Sequence, residues 1–364
     1  MVRRRYTSTR LLDEGMIIDQ SIIDKTGRIL IARKTVLDQF LIDALRKMGV
    51  PGIYIREGEE DPDEEIEVAP ETLEKIEKLK VADRAKVTLS ASVKERVSTG
   101  IQFLYSDTAS PNFTNTASNI AQNLMQAITE NDAVAMNIDA LKVSDEYTFK
   151  HSVDVATMGM IIARKSGLPE KDVYQIGVAG LLHDVGKSQI PNEILNKAGK
   201  LTEEEFAIMK NHTVFGYNIL KEKSEIPPEV IAGVLQHHEK LNGRGYPLNL
   251  PEEKISLYAK VLSVADIYDA LVTERPYKKG FAPQDALEMI MAMTGELDLK
   301  CMRSFIDTVI LYPVDSIVSL SIGEKAKVVE NIPQYPMRPK VVSLKTGKVY
   351  DLANDISCAS IMIE

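Results

Sequence analysis

Five histidines in 364 residues, all between positions 151 and 238, constrain this chain more than any other feature. At their centre stands Gly180-Leu181-Leu182-His183-Asp184-Val185-Gly186-Lys187. Val178, Leu181, Leu182 and Val185 recur at helical spacing, so the stretch reads as the last turns of a buried helix that delivers polar groups into an interior or cleft. Buried polar groups need partners. His151, His212, His237 and His238 fall within the same window, and with His183, Asp184 and Asp266 they make seven good ligands on five predicted helices. A single histidine on an apolar face is more often a satisfied core residue than a ligand. A window that holds every histidine of the chain, with His-Asp and His-His doublets, points to metal. Imidazoles and carboxylates without thiolates suit iron, manganese, zinc, nickel or cobalt, and seven ligands exceed one tetrahedral site. Two metals would use them, with Asp184 as the bridge because its two oxygens can each face one cation.

The rest of the composition narrows the setting. A chain of this length predicts a main domain with one or two smaller ones. The net charge of -9 and pI of 5.3 argue against a general DNA or RNA surface, so any nucleic-acid-like ligand would be small. Cys301 and Cys358 lack CxxC spacing, which predicts two small core residues in a reducing cytoplasm. Arg3-Arg4-Arg5 is not followed by an apolar run, and no stretch reaches about 18 uninterrupted apolar residues, so neither a signal peptide nor a membrane span is expected.

Along the chain, residues 1–60 read as a small α/β module. Met16-Ile17-Ile18 and Ile22-Ile23 lead through the turn signal Asp24-Lys25-Thr26-Gly27 to a return strand ending at Ile31. Leu37, Phe40, Leu41, Ala44 and Leu45 form an apolar helical stripe that Gly49 can end, and Gly52-Ile53-Tyr54-Ile55 reads as another strand. Eight of the eleven residues from Glu57 to Glu67 are acidic, which marks a solvated linker. Residues 61–140 are therefore taken as linker and helical connector, with Leu73, Ile76 and Leu79 on one helix face and Ile120, Leu124 and Ile128 on another. Residues 141–311 read as helix after helix. The capping-box signature Thr202 to Glu205 opens a helix expected to run through Phe206, Met209, His212 and Phe215. Residues 312–364 carry short strand-like runs between Gly, Pro and Asn. The predicted fold class is thus multidomain: an all-α helical bundle as core, an N-terminal α/β module and a C-terminal β extension.

His183-Asp184-Val185-Gly186-Lys187, followed by His237-His238-Glu239-Lys240-Leu241-Asn242-Gly243-Arg244-Gly245-Tyr246-Pro247, resembles the HD-GYP family of HD-type metal-dependent phosphohydrolases. The resemblance extends to His151, His212, Asp266 and Arg275-Pro276-Tyr277-Lys278. It implies one metal held by His151, His183, Asp184 and Asp266, and a second by Asp184, His212, His237 and His238. It also implies iron or manganese as the first expectation, and hydrolysis of the bacterial messenger cyclic di-GMP to pGpG, in some members GMP, by a hydroxide between the metals. Asp184 and Lys187 are the catalytic residues expected from it, and Lys187, Tyr246, Arg275 and Lys278 the substrate contacts. The Gly245-Tyr246-Pro247 loop is also expected to face a signalling partner, and the helices before Asp145 are compatible with a homodimer. Two positions depart from the pattern. Asn242 replaces the usual Asp, and Tyr147 stands where three-metal members carry Glu, which favours two metals although Asp145 and Glu146 lie close by. Two other readings compete: a cyclic-dinucleotide sensor with negligible turnover, and an HD hydrolase of another cyclic dinucleotide or nucleotide.

Overall fold

The computed structural model describes residues 3–18, 22–23, 29–31, 35–48, 50, 52–57, 68–84, 91–130, 147–197, 199–273 and 280–364. The chain divides into two units, Met1–Ala69 and Pro70–Glu364. The first contains β1 (Arg3–Ser8), β2 (Ile17–Ile18), β3 (Ile22–Ile23), β4 (Ile29–Ile31), α1 (Gln39–Lys47) and β5 (Gly52–Glu57). Antiparallel pairing gives the order β1-β5-β2, and β3 pairs with β4 as a hairpin whose turn, like Gly49, lies outside the described residues. Asp38 caps α1 by accepting from the Leu41 amide at 2.8 Å, which satisfies a donor that the first helical turn leaves free. Leu37, Ile42 and Leu45 pack with Leu12, Ile18, Ile31, Ile53 and Ile55. The helix stripe is rotated from the one expected, for Ile42 is buried and Phe40 is 78% exposed. Strand β1 was not legible in the sequence, because three consecutive arginines carry no apolar alternation.

The second unit starts with α2 (Pro70–Leu79), α3 (Ala91–Ser106) and α4 (Phe113–Glu130). Its core continues through α5 (Tyr147–Lys165), α6 (Glu170–Leu182), α7 (Asn192–Leu195), α8 (Glu203–Lys210), α9 (His212–Lys221), α10 (Pro228–Gln236), α11 (Leu257–Val272), α12 (Pro283–Ala292) and α13 (Leu299–Ile306). This is the all-α bundle, and α5, α6 and α11 form its middle through residues such as Val155, Ile162, Leu181, Leu182, Val261 and Leu262. Helix α4 joins the same core through Ile120, Leu124 and Ile128, whereas on α2 Ile76 is buried and Leu73 exposed.

One expected helix is two. The capping box at Thr202 and Glu205 forms, but α8 stops at Lys210, and Asn211 serves as the last cap of α8 and the first of α9. His212 therefore opens a new helix instead of sitting within a long one.

The unit ends in an antiparallel meander of β6 (Ile317–Ser319), β7 (Lys325–Glu330), β8 (Lys340–Ser343) and β9 (Val349–Asp351). It has its own small core, including Val318, Val328, Val341 and Tyr350. The segment after α2 is tied to it: Val81 donates to Val329 O at 2.8 Å, and Asp83 accepts from Val314 N at 3.1 Å and Asn331 Nδ2 at 2.7 Å. Cys301 and Cys358 are buried and unpaired. Among the described residues no helix is long and apolar enough to cross a membrane.

Candidate metal centre

Helix ends build this site. His183 and His237 are the C-terminal caps of α6 and α10, and each turns its Nδ1 back onto a carbonyl of its own last turn. The distances are 2.7 Å from His183 to Gly180 O and 2.8 Å from His237 to Val234 O. His212 makes the same contact with Met209 O at 2.8 Å, and His151, on α5, places Nδ1 2.6 Å from Asp269 Oδ2. A carbonyl or carboxylate facing Nδ1 fixes the proton there, so the lone pair of each ring is carried by Nε2. Those lone pairs converge: His151 Nε2 is 3.2 Å from His183 Nε2, and His212 Nε2 is 3.4 Å from His237 Nε2. Lone pairs so close repel unless a cation or proton lies between them. Two nitrogens each about 2.1 Å from one metal stand roughly 3.0–3.4 Å apart, which is the spacing found.

Asp184 lies between the two pairs and is 1% exposed. Its Oδ2 is 3.3 Å from His183 Nε2 and 3.6 Å from His151 Nε2, while its Oδ1 is 3.4 Å from His212 Nε2. That Oδ1 is buried and accepts no hydrogen bond, which is costly for a carboxylate oxygen without a cation to face. Asp266, on α11, completes the ring with Oδ1 3.2 Å from His151 Nε2 and Oδ2 3.6 Å from His238 Nδ1. Two ligand triads result, His151/His183/Asp266 and His212/His237/His238, with a third grouping of His183, Asp184 and His237 between them.

The electrostatics agree with the donor set. Burial raises the Asp184 carboxyl, but the opposing charge of Lys187 and His183 outweighs it and holds the group well below the usual range. Asp266 is likewise held well below, burial being overcome by the His151 hydrogen bond and His238. Burial lowers His212, with Lys187 adding to it, and burial lowers His237 further with help from His238 and His183. For His151 burial also acts downward, yet hydrogen bonds to Asp266 and Asp269 push it up to about 10. Two ionised carboxylates among His212, His237 and His238, all three lowered first by burial, leave a negative potential that a cation would neutralise, and the carboxylates that raise His151 would draw a cation to its Nε2 in place of a proton. These residues suit divalent metal binding.

The remaining expected site residues divide. Lys187 is present and pairs with Asp184 Oδ2. Tyr246 lies over His238 with ring centroids 4.6 Å apart and planes at 31°. Arg275 and Lys278 lie outside the described residues, as do Asp145 and Glu146. In the loop that carries Tyr246, Gly243 has φ +72° and Asn242 Oδ1 accepts from the Arg244 amide at 3.0 Å, so Asn242 closes the turn.

Two functional residues escaped the sequence reading. Glu239, almost fully buried, accepts from the amides of Leu248 at 2.6 Å and Leu250 at 3.0 Å and so anchors the Tyr246 loop. Asp269 orients His151; its signal was the i, i+3 spacing from Asp266 on an otherwise apolar helix. Because outer carboxylates of this kind set ligand orientation, Asp269→Ala is expected to weaken metal affinity about 10- to 100-fold. Chelator-competition titration reads it, and unchanged affinity would deny Asp269 that role.

Sequence comparison adds the relatives. A profile of the family described as "HD domain" matches residues 135–300, a span that holds all seven candidate ligands. The cyclic di-GMP phosphodiesterase PA4108 of Pseudomonas aeruginosa is 37% identical over 225 residues, 62% of this chain and 54% of that protein. The cyclic di-GMP phosphodiesterase response regulator RpfG of Xanthomonas campestris is 40% identical over 148 residues, 40% of this chain and 39% of its own. The 3'3'-cGAMP-specific phosphodiesterase 3 of Vibrio cholerae is 39% identical over 145 residues, 40% and 31% of the two chains. The chain thus spans about half or less of the length of these relatives. The stretch that matches the HD domain family, residues 135–300, is thus the one that brings the histidine cluster together.

Proposed function

We propose that this chain hydrolyses cyclic di-GMP to pGpG, and onward to GMP where the linear product rebinds, at a centre of two divalent metals, iron or manganese. The observation that carries this reading is Asp184, whose two buried oxygens face the two histidine groups separately. His151, His183, Asp184 and Asp266 would hold one metal, and Asp184, His212, His237 and His238 the other. When bound, the metals supply Lewis acidity, lowering the pKa of a water and stabilising charge on the phosphoryl oxygens. The chain does the rest. The Nδ1 contacts hold each imidazole in register, and the buried helix ends exclude bulk water. Lys187 Nζ, beside Asp184, can turn its protons to a non-bridging phosphate oxygen. Tyr246 offers its ring beside His238 to a guanine, and Arg275 and Lys278 are proposed as further phosphate contacts. Water oxygen joins phosphorus, the phosphorus–oxygen ester bond to the ribose breaks, and the ribose oxygen leaves with a proton. The unit Met1–Ala69 would regulate this core in the cytoplasm, where the messenger acts.

A second substrate is favoured by one observation: the Vibrio cholerae relative named for 3'3'-cGAMP, 39% identical over 145 residues, matches this chain about as well as RpfG, named for cyclic di-GMP, at 40% over 148. The test is the full chain, loaded anaerobically with iron(II) or manganese(II), given each dinucleotide separately, with products identified by mass spectrometry. Faster release of pGpG or GMP from cyclic di-GMP is expected. Preference for 3'3'-cGAMP would move the assignment to the hybrid substrate, and binding without product from either would leave a sensor.

A further inference from the structure

Helix α8 buries none of its residues, yet it carries Phe206, which is 49% exposed. Isolated surface aromatics need no explanation, but Phe206 is not isolated. Its ring meets Tyr246 edge to face, with centroids 6.5 Å apart and planes at 79°. Tyr246 in turn covers His238, whose Nδ1 faces Asp266. Three rings therefore run without a gap from the metal ligands to the surface. One turn beyond Phe206, Lys210 holds Nζ over the ring, 5.3 Å from its centroid, so a cation stands against one face and a base would take the opposite one.

The platform is also firmly mounted. Thr202 Oγ1 accepts from the Glu205 amide at 3.2 Å, and Glu205 Oε2 accepts from the Thr202 amide at 2.7 Å and from Lys197 Nζ. The other end of α8 joins α9 at Asn211, one residue before His212, so the position of Phe206 is indexed to a metal ligand. Because the Phe206 and Tyr246 rings are nearly perpendicular, they cannot clasp one base between them. They present two separate stacking faces instead. A ligand with two planar bases on a compact anionic ring matches two faces, a neighbouring cation and a metal centre.

We propose that Phe206 is the stacking platform for the second nucleobase of the cyclic dinucleotide, with Lys210 facing its phosphate, while Tyr246 takes the base nearer the metals. This rests on the cyclic di-GMP reading above. Phe206 then governs capture of a base-bearing substrate and leaves the reacting phosphate to the metals.

The test compares wild type, Phe206→Ala and Phe206→Tyr on cyclic di-GMP and on methyl 4-nitrophenyl phosphate, a small diester with no nucleobase or second phosphate. Phe206→Ala is expected to raise KM for cyclic di-GMP about tenfold, with kcat within about twofold. Phe206→Tyr should restore KM, and neither variant should change bound metal or small-diester turnover. Unchanged KM in Phe206→Ala, beside a wild type that cleaves cyclic di-GMP, overturns the platform alone. Parallel loss of small-diester turnover and metal also overturns it, as a structural role would. A wild type that cleaves only the small diester overturns both this inference and the cyclic di-GMP reading.

Discussion

Replacing Asp184 with alanine is expected to lower phosphodiester cleavage by about three orders of magnitude or more while leaving the bundle folded. The residue does three things that no neighbour can take over. Its Oδ2 faces His183 and His151, its Oδ1 faces His212, and its charge neutralises Lys187. Without the carboxylate, the Lys187 ammonium would stand unpaired beside the ligands and repel the cations they are meant to hold. Asp184→Asn separates charge from shape, because it preserves volume and one carbonyl oxygen. It should fail almost as badly, since an amide cannot bridge two cations through two anionic oxygens. Product formation and metal analysis read the effect together, and a variant retaining activity within about tenfold of wild type would remove Asp184 from the chemistry.

Gly186→Ala is the second large effect, and it acts through backbone. A Cβ at Gly186 would lie 2.0 Å from His212 O and 2.4 Å from Gly216 N, both main-chain atoms of α9. No side chain can step aside, so α9 itself must move, and His212 is its first residue. The expected cost is about 3 kcal/mol, or roughly 6–12 °C in melting temperature. Activity should fall about 100-fold through displacement of His212. Gly243→Ala is the comparison: there φ is +72° with no atom within 4 Å, so the cost is backbone strain of about 1–2 kcal/mol. A Gly186→Ala protein melting with wild type would show that α9 does not press on this turn as described.

The same glycine shows why some of the molecule was legible in the sequence and some was not. Histidine is rare in this chain, so the confinement of all five to one window marked the candidate site before any geometry was known. The glycine in His183-Asp184-Val185-Gly186-Lys187 was visible as a motif position, but its reason, backbone packed on backbone from a distant helix, is a tertiary fact. The break at Asn211 was hidden because Phe206, Met209 and Phe215 keep helical spacing across it. Asp269 and Glu239 went unread for a related cause. Each acts on a partner far away in sequence, His151 or the amides of the Tyr246 loop, and nothing local marks a carboxylate as an acceptor for such groups. Strand β1 depends on pairing with β5 and not on its own arginine-rich composition, and Phe40 kept its helical spacing while the buried face turned to Ile42.

Metal content of the full chain, purified without oxygen and loaded with iron(II) or manganese(II), tests a bridged binuclear centre most directly. Two ions per chain in the wild type and no more than one in Asp184→Ala is the predicted result. One ion per chain in both proteins would contradict a bridge at Asp184, whatever activity either protein displays.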